Sequence, residues 1–146
     1  MLFGEFRHSV DAKNRVSVPA KMREDLGGEF IVVPSLRGQC LRFFSMPAWK
    51  EYLAPLKEKA RALAEKTYWF LFHNAAQVTP DTLGRVLLNK GLLDFAKIEP
   101  DEEGNRNVVI VGCGDFGEIW AEKLYEEHVG AMDIDEIRRA LEESGL

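Results

Sequence analysis

The sequence predicts a mainly β protein with short α-helices, built from two tandem copies of one unit. The tract from Asp11 to Val16 returns seventy positions later, from Asp81 to Val86, with the shared pattern Asp-x-x-x-Arg-Val. Strand-like runs after each tract match in the same order, 30–33 with 108–111 and 41–44 with 117–120. Several matching blocks in one order indicate an internal repeat, and their alternating or continuous apolar character indicates strands.

The first copy opens with a predicted strand, a turn and a second strand. Residues 4–10 alternate, with Phe6, His8 and Val10 on one face, which is typical of a half-buried strand. Residues 11–14 have turn chemistry, and Val16 and Val18 share a face of the next strand. Pro19 then begins a short helix that Gly27-Gly28 ends.

Two further strands and a helix complete this copy. Residues 30–33 and 41–44 read as strands around a turn at 34–38. Pro47 begins a helix, and its aromatic and apolar side chains are expected to face inward, namely Trp49, Tyr52 and Leu53.

The second copy repeats this order, with strands at 75–79, 85–88, 107–111 and 117–120 and a helix at 121–129. Between the copies, residues 55–72 read as one helical stretch in which Leu56, Leu63 and Phe70 recur every seven residues and pack. The tail, 133–145, reads as an amphipathic helix with Asp133 or Asp135 as N-cap and Ile134, Ile137 and Leu141 on one side. We therefore expect a first repeat at 1–53, a connecting helical segment at 54–73, a second repeat at 74–129 and a C-terminal helix at 130–146.

Charge is distributed unequally between the two copies. The chain has 146 residues, 46% hydrophobic and 29% charged, with a net charge of −5. Residues 1–66 hold 12 basic and 8 acidic side chains, a balance of +4, whereas residues 67–146 hold 7 and 16, a balance of −9. The excess is sharpest near the start, where five cations face only Glu5 and Asp11: Arg7, Lys13, Arg15, Lys21 and Arg23. A local basic patch of this kind suits a polyanion even in an acidic protein, although a solvated basic face is the alternative.

The sequence favours a cytoplasmic protein. No run approaches the roughly 20 apolar residues of a membrane span, and the start lacks the pattern of a secretory signal. Cys40 and Cys113 stand far apart without a C-x-x-C spacing, which fits a reducing compartment and argues against structural zinc. We expect both cysteines to be buried and inert.

Signals for catalysis are weak, and we predict no catalytic residues, cofactor or metal. Residues 112–117 form a complete G-x-G-x-x-G after a buried strand, which suggests a dinucleotide site. Only 29 residues follow Gly117, too few for a Rossmann domain, and the repeat aligns this segment with the turn at 34–39. Glycines in a hairpin are the better interpretation. The three histidines and the acidic loop at 99–103 likewise lack partners for acid/base chemistry.

The repeated Asp-x-x-x-Arg units offer both a structural and a functional interpretation. Asp11 and Asp81 can accept hydrogen bonds from their own turns, and the following arginine can pair with the carboxylate. Alternation along the strand places Lys13 and Arg15 together on one face, opposite Val16. Two adjacent cations on a β-surface could follow phosphates while arginines reach guanine edges.

Several blocks together resemble the MraZ family. They are the opening Phe3-Gly4-Glu5-Phe6, His8, the run from Asp11 to Lys21 with Arg23, and the second unit Asp81-x-x-Gly84-Arg85. The resemblance covers nearly the whole chain. This family comprises bacterial transcriptional regulators of the division and cell-wall gene cluster, tandem members of the AbrB-like DNA-binding superfamily.

The resemblance implies a swapped-hairpin AbrB-like β-barrel built from the two repeats, and a ring-shaped homo-oligomer. It also implies contacts to double-stranded DNA through the loop of each unit, at short direct repeats in the promoter of its own operon, usually with repression. Carried onto this sequence, the DNA-binding residues are Lys13, Arg15 and Arg85. Charge alone adds three more candidates, Arg7, Lys21 and Arg23. A nucleoid-associated protein in the cytoplasm is the expected setting.

The chain departs from the family pattern at three positions. Asn14 stands where glycine is frequent, and asparagine tolerates the left-handed conformation that such a turn needs. Leu83 stands where a basic or polar residue is common, and Asn89 where proline is common. Because Leu83 removes a polar contact, we expect the first copy to carry most of the DNA affinity. The alternative function is an oligomeric, antitoxin-like protein-interaction module without specific DNA readout.

Overall fold

A computed structural model describes all residues, 1–146. Eight strands alternate with short helices in two halves of similar order. The strands are β1 Glu5–Val10, β2 Arg15–Ser17, β3 Phe30–Pro34, β4 Leu41–Ser45, β5 Ala76–Val78, β6 Arg85–Leu87, β7 Arg106–Gly112 and β8 Gly117–Ala121. The helices are α1 Ala20–Leu26, α2 Met46–Leu53, α3 Arg61–Asn74, α4 Lys90–Phe95, α5 Glu122–Gly130 and α6 Ile134–Glu143, with a 3-10 turn at Ala54–Glu58.

The strands form a six-stranded antiparallel sheet in the order β1-β7-β8-β4-β3-β5, and a separate ribbon of β2 with β6. The mainly β class with short helices is confirmed. The predicted closed barrel is wrong, because β1 and β5 remain edge strands of an open sheet. The ribbon covers one face of that sheet by packing, since Val16 and Val86 are 1% exposed and belong to its core.

The registers of strand pairing relate the two halves closely. β1 pairs with β7 through Phe6 opposite Ile110, and β5 pairs with β3 through Ala76 opposite Val32. Ala76 lies 70 positions after Phe6, and Ile110 lies 78 positions after Val32, which are the offsets of the sequence match. In the ribbon, Val16 faces Val86, 70 positions away. Each half therefore lends its first strand to the third strand of the other half.

The sheet buries both of its faces at β3, which explains the continuous apolar run there. Phe30 and Val32 belong to the larger core, beneath the ribbon, α1 and α4. Ile31 and Val33 belong to a second core on the other face, which includes residues of α2 and α3. Trp49 is buried as predicted, with Tyr52 and Leu53 packed against this second core.

The connecting segment differs from the single packed helix that the sequence suggests. A 3-10 turn ends at Glu58, and Lys59 is extended, with φ −87° and ψ 164°, so α3 begins only at Arg61. Leu63 is exposed, as are Trp69 and Phe72 farther along. Leu71 enters the second core, whereas Phe72 reaches it only through an edge-type contact, at 5.9 Å between the Phe72 and Trp49 ring centroids. No helix of the chain combines the length and apolarity needed to cross a membrane.

The glycine-rich segment at 112–117 is a hairpin between β7 and β8, as predicted. Gly112 pairs with Gly117, and the amide of Cys113 donates to the carbonyl of Phe116 at 2.8 Å. A Cβ on Gly117 would lie 2.1 Å from the Phe43 ring, so close packing requires glycine there. The two cysteines differ, because Cys40 is buried whereas Cys113 is exposed, which corrects the prediction that both are buried. Desolvation, together with the nearby Glu118 carboxylate, raises the pKa of Cys40 to about 12; the same two causes raise the pKa of Cys113, whose thiol is partly desolvated although the residue is exposed, to about 11.

Candidate nucleic-acid interface

The first Asp-x-x-x-Arg unit forms a turn organised around one carboxylate. Asp11 Oδ1 accepts hydrogen bonds from the amides of Lys13 at 2.9 Å and Arg15 at 2.8 Å. Its Oδ2 accepts from Arg15 Nε at 2.8 Å. Asn14 has a φ of 63°, the left-handed conformation that the sequence predicted asparagine to tolerate. The local sequence thus fixes both the conformation of the turn and the position of Arg15 Nε.

The second unit has the same geometry. Asp81 Oδ1 accepts from the amides of Leu83 and Arg85, each at 2.9 Å, and Oδ2 accepts from Arg85 Nε at 2.9 Å. Gly84 takes the left-handed position, with a φ of 81°. Each aspartate thus accepts three hydrogen bonds from its own unit.

These hydrogen bonds stabilise the ionised carboxylates. The bond from the Arg15 amide contributes most to lowering the pKa of Asp11, with further contributions from the Arg15 guanidinium and the Lys13 amide. The pKa of Asp81 is lowered in the same way, chiefly by the Arg85 amide. Each turn consequently keeps its aspartate ionised at neutral pH, and each of these carboxylates is already paired with an arginine.

Pairing of β2 with β6 brings the two units into one surface. Arg15 lies opposite Leu87 and Arg85 lies opposite Ser17, so these four side chains share one face of the ribbon. The other face holds the buried pair Val16 and Val86. Diagonal neighbours of this type have backbone positions about 7–8 Å apart. Each guanidinium group bonds to the aspartate of its own turn, so both arginines lie on the same face of the ribbon, one toward each end.

The turns are also joined through the backbone. The amide of Leu88 donates to the carbonyl of Asn14 at 2.8 Å, and the amide of Val18 donates to the carbonyl of Gly84 at 3.0 Å. The first turn therefore lies at one end of the ribbon and the second turn at the other. Lys13 belongs to the turn rather than to β2, so strand alternation does not set its direction, contrary to the sequence argument.

The cationic groups of this surface remain available to a ligand. Arg15 and Arg85 use Nε for their aspartates, and their terminal nitrogens make no hydrogen bond within the chain. Lys13 is exposed and its ammonium forms no ion pair. The ribbon thus presents two oriented guanidinium groups and one mobile ammonium, which can pair with phosphates or guanine edges.

Two other arginines contact the turns, one at each turn. Arg106, the first residue of β7, donates from Nη1 to Asn14 Oδ1 at 2.7 Å and from Nη2 to the carbonyl of Asp11. Arg23 donates from Nε to the carbonyl of Val18 at 3.0 Å, and its guanidinium lies against Gly84. A Cβ at Gly84 would stand 2.5 Å from Arg23 Cζ, so glycine makes room for this side chain. Arg106 is not detectable from the internal repeat, because the corresponding position of the first copy is Gly28.

The remaining predicted cations lie elsewhere. Arg7 is surrounded by acids, 2.7 Å from Glu126 and 3.5 Å from both Glu5 and Glu122. Its ring neighbour Tyr125 has a pKa raised to about 12 by burial and by its hydrogen bond to Glu5. Lys21 is exposed on α1 and has no ion-pair partner. The structure therefore does not bring Arg7 to the ribbon.

A third turn repeats the backbone pattern without its cation. Asp101 Oδ1 accepts from the amides of Glu103 at 3.0 Å and Asn105 at 2.8 Å. Asn105 occupies the position of the arginine, so the charged side chains of this turn are all acidic. The aspartate turn is thus a folding device of this chain, and only the two copies on the ribbon present arginine.

The histidines, cysteines and carboxylates do not assemble a metal site. No three residues among the histidines, cysteines and carboxylates are grouped so as to hold a metal ion. His73 stacks on Trp69 and His128 stacks on Trp120, at ring separations of 4.4 and 4.5 Å.

Comparison with known proteins agrees with the resemblance. The sequence model of the family described as "MraZ protein, putative antitoxin-like" matches residues 1–68 and 71–140. Among similar curated proteins, a Thermoanaerobacter sp. (strain X514) protein is 34% identical and a Clostridium acetobutylicum protein 33% identical, each over the full length of both chains. A Carboxydothermus hydrogenoformans protein is 38% identical over 88% of this chain and 86% of its own length. All three are named transcriptional regulator MraZ. With matches of this extent, the chain belongs to the MraZ family.

Proposed function

We propose that this chain is a sequence-specific DNA-binding transcriptional regulator that uses the β2–β6 ribbon as its DNA-reading surface. The observation that carries the proposal is that Arg15 and Arg85 share one face of the ribbon, each oriented by its own aspartate. An oriented guanidinium loses little conformational freedom on binding and can donate bidentately to a phosphate or to guanine. The names of the relatives support a regulator rather than an enzyme.

In this proposal the target is a set of short direct repeats upstream of its own division and cell-wall operon, and binding represses that operon. Two tandem AbrB-like repeats supply one turn each to the ribbon, which the shared registers of β1–β7 and β5–β3 support. The protein works in the cytoplasm, associated with the nucleoid, without cofactor or metal.

We further propose that several chains assemble into a ring, so that successive ribbons face successive DNA repeats. Two unpartnered apolar surfaces support assembly. α6 buries no residue and exposes Ile134, Ile137 and Leu141 along one side, and α3 exposes Trp69 and Phe72. A helix of ten residues is marginal alone in water, so its apolar stripe needs a partner.

Fluorescence anisotropy tests the DNA proposal. The labelled duplex upstream of the chain's own gene is compared with a scrambled duplex across a salt series. We expect selective binding whose log affinity falls linearly with log salt, with each lost phosphate contact reducing the slope by about 0.9. Equal weak binding to both duplexes would reduce the ribbon to a nonspecific polyanion surface.

Substitutions then rank the two turns. Because the first turn adds Lys13 whereas the second carries Leu83, Arg15→Ala should weaken binding more than Arg85→Ala. Arg37→Ala is the matched control, since Arg37 is exposed on the β3–β4 turn and its side chain makes no hydrogen bond. Equal losses from both ribbon variants, with assembly intact, would contradict the ranking.

The second candidate is an oligomeric, antitoxin-like interaction module, which the exposed aromatic side chains of α3 favour. It predicts normal assembly without salt-sensitive DNA binding.

A further inference from the structure

Two large apolar side chains interrupt the charged face of the ribbon. Seventy positions relate Lys13 to Leu83 and Ser17 to Leu87. Leu83 is 70% exposed and Leu87 is 59% exposed, and neither belongs to a core of the protein. The second unit therefore places leucine at two positions where the first unit places polar side chains.

Each leucine stands beside one of the arginines. Leu87 pairs directly with Arg15 across the ribbon, on the outward face. Leu83 lies in the second turn, two residues before Arg85, and its amide is held by Asp81 Oδ1 at 2.9 Å. Hydrogen bonds hold the backbone at both positions, so the points from which the two side chains project are fixed.

Folding does not explain these two leucines. The strand period of two points Val86 and Leu88 into the core, where they are 1% and 0% exposed, and leaves Leu87 facing outward. An outward position accepts any side chain, as Ser17 demonstrates in the first unit. Single exposed leucines are common on protein surfaces, but here both flank oriented arginines on a proposed DNA-reading face.

The major groove offers one apolar group at base edges, the C5-methyl group of thymine. A two-stranded β-ribbon fits this groove, and an aliphatic side chain beside a base-reading arginine can cover that methyl group. We propose that Leu83 and Leu87 are apolar subsites for thymine methyl groups next to the bases that Arg85 and Arg15 reach. This inference rests on the proposed DNA-binding function and names what part of the duplex is recognised.

The proposal implies that charged and apolar side chains of the ribbon contribute to DNA binding in different ways. Lys13 adds sequence-independent phosphate attraction at the first turn, which salt weakens. The leucines add a contact that depends on the base and little on salt, because it removes apolar surface from water.

Deoxyuridine substitution provides the test, because it removes the thymine methyl group and retains every hydrogen-bonding group. A duplex is first selected from a random library by the full-length protein, and each thymine is then replaced in turn. Wild type, Leu83→Ala and Leu87→Ala are titrated by anisotropy at one salt concentration. Leu36→Ala is the control, since Leu36 is 48% exposed on the β3–β4 turn, outside the helices proposed to form the assembly.

We expect wild type to lose about fourfold in affinity at one or more thymines, the scale of one methyl group removed from an apolar contact. Leu83→Ala should abolish the loss at one thymine and Leu87→Ala at another, whereas Leu36→Ala should behave as wild type. Equal wild-type affinity for thymine and deoxyuridine duplexes would overturn the inference, as would a selected site without thymine.

Two further outcomes have distinct meanings. If both leucine variants change the mass of the assembly and leave methyl discrimination intact, a neighbouring copy covers these side chains and the inference fails. If correctly folded protein selects no duplex at all, both the DNA-binding proposal and this inference fail. Selective binding without methyl dependence overturns only the role of the leucines.

Discussion

Arg15 and Arg85 can combine a structural role with the proposed DNA-binding role because a guanidinium group has more than one donor nitrogen. Each uses Nε to brace its aspartate, and each keeps its terminal nitrogens free. The sequence predicted this pairing from the Asp-x-x-x-Arg spacing, because an aspartate reaches its own turn amides locally. It did not predict Arg106, whose contacts with Asn14 cross 92 positions of sequence. Hydrogen bonds within one turn can be predicted from the spacing of residues, whereas hydrogen bonds from a distant strand depend on the fold.

The pH dependence of the two turns follows from their aspartates. Because the folded-state pKa of Asp11 and of Asp81 is lowered from 3.8, the bracing stabilises the turns above pH 3.8. This contribution is lost as the pH falls through the lowered folded pKa. The NMR shifts of the Lys13 and Leu83 amides should therefore titrate with midpoints below 3.8. Midpoints at or above 3.8 would contradict the bracing.

Arg106 should matter to DNA binding without contacting DNA. Arg106→Ala removes two hydrogen bonds to the first turn, at about 1 kcal/mol each, so the free energy of unfolding should fall by about 2 kcal/mol. The Asn14 amide should exchange faster, and operator affinity should fall with it. Arg37→Ala, a matched loss of one exposed cation, should leave both unchanged. Unaltered exchange at Asn14 in the Arg106 variant would contradict the supporting role.

At the level of elements, strand pairing between the halves explains why both turns belong to one ribbon. β1 pairs with β7, β5 pairs with β3, and β2 pairs with β6, so every one of these pairs joins the two halves. The offsets of 70 and 78 residues came from the sequence, but which strands pair did not, because alternation says nothing about partners. The break before α3 was missed for a similar reason, since Lys59 and Ala60 carry no strong breaking signal.

The β7–β8 hairpin gives a test at this scale. Gly117→Ala should lower the free energy of unfolding by about 1–3 kcal/mol, because the added Cβ meets the Phe43 ring in the core. Gly130→Ala, at the end of α5 with no neighbouring atom within 4 Å, should be neutral or slightly stabilising. Urea unfolding measures both variants. Similar values for the two would mean that the core yields to the methyl group.

For the whole molecule, exposed apolar surface supports the proposed assembly of several chains. Trp69 and Phe72 on α3 and the stripe on α6 remain exposed while both cores are filled. Charge favours contact between these two regions of different copies. Residues 57–66 hold four basic and two acidic side chains, whereas residues 133–146 hold two basic and five acidic ones. Two different surfaces that complement each other form a head-to-tail contact, which closes into a ring when the rotation permits.

Leu141→Glu therefore should reduce the assembly to smaller species, because it places a charge in the apolar stripe of α6. Arg139→Glu is the matched control, since it introduces the same side chain on the opposite side of that helix and should leave the mass unchanged. Light scattering coupled to size exclusion measures both. Operator affinity should fall with the loss of assembly, because a single ribbon cannot engage several DNA repeats at once. An unchanged mass for Leu141→Glu would exclude the α6 stripe from the interface and leave the α3 aromatics, tested by Trp69→Ala, as the remaining contact.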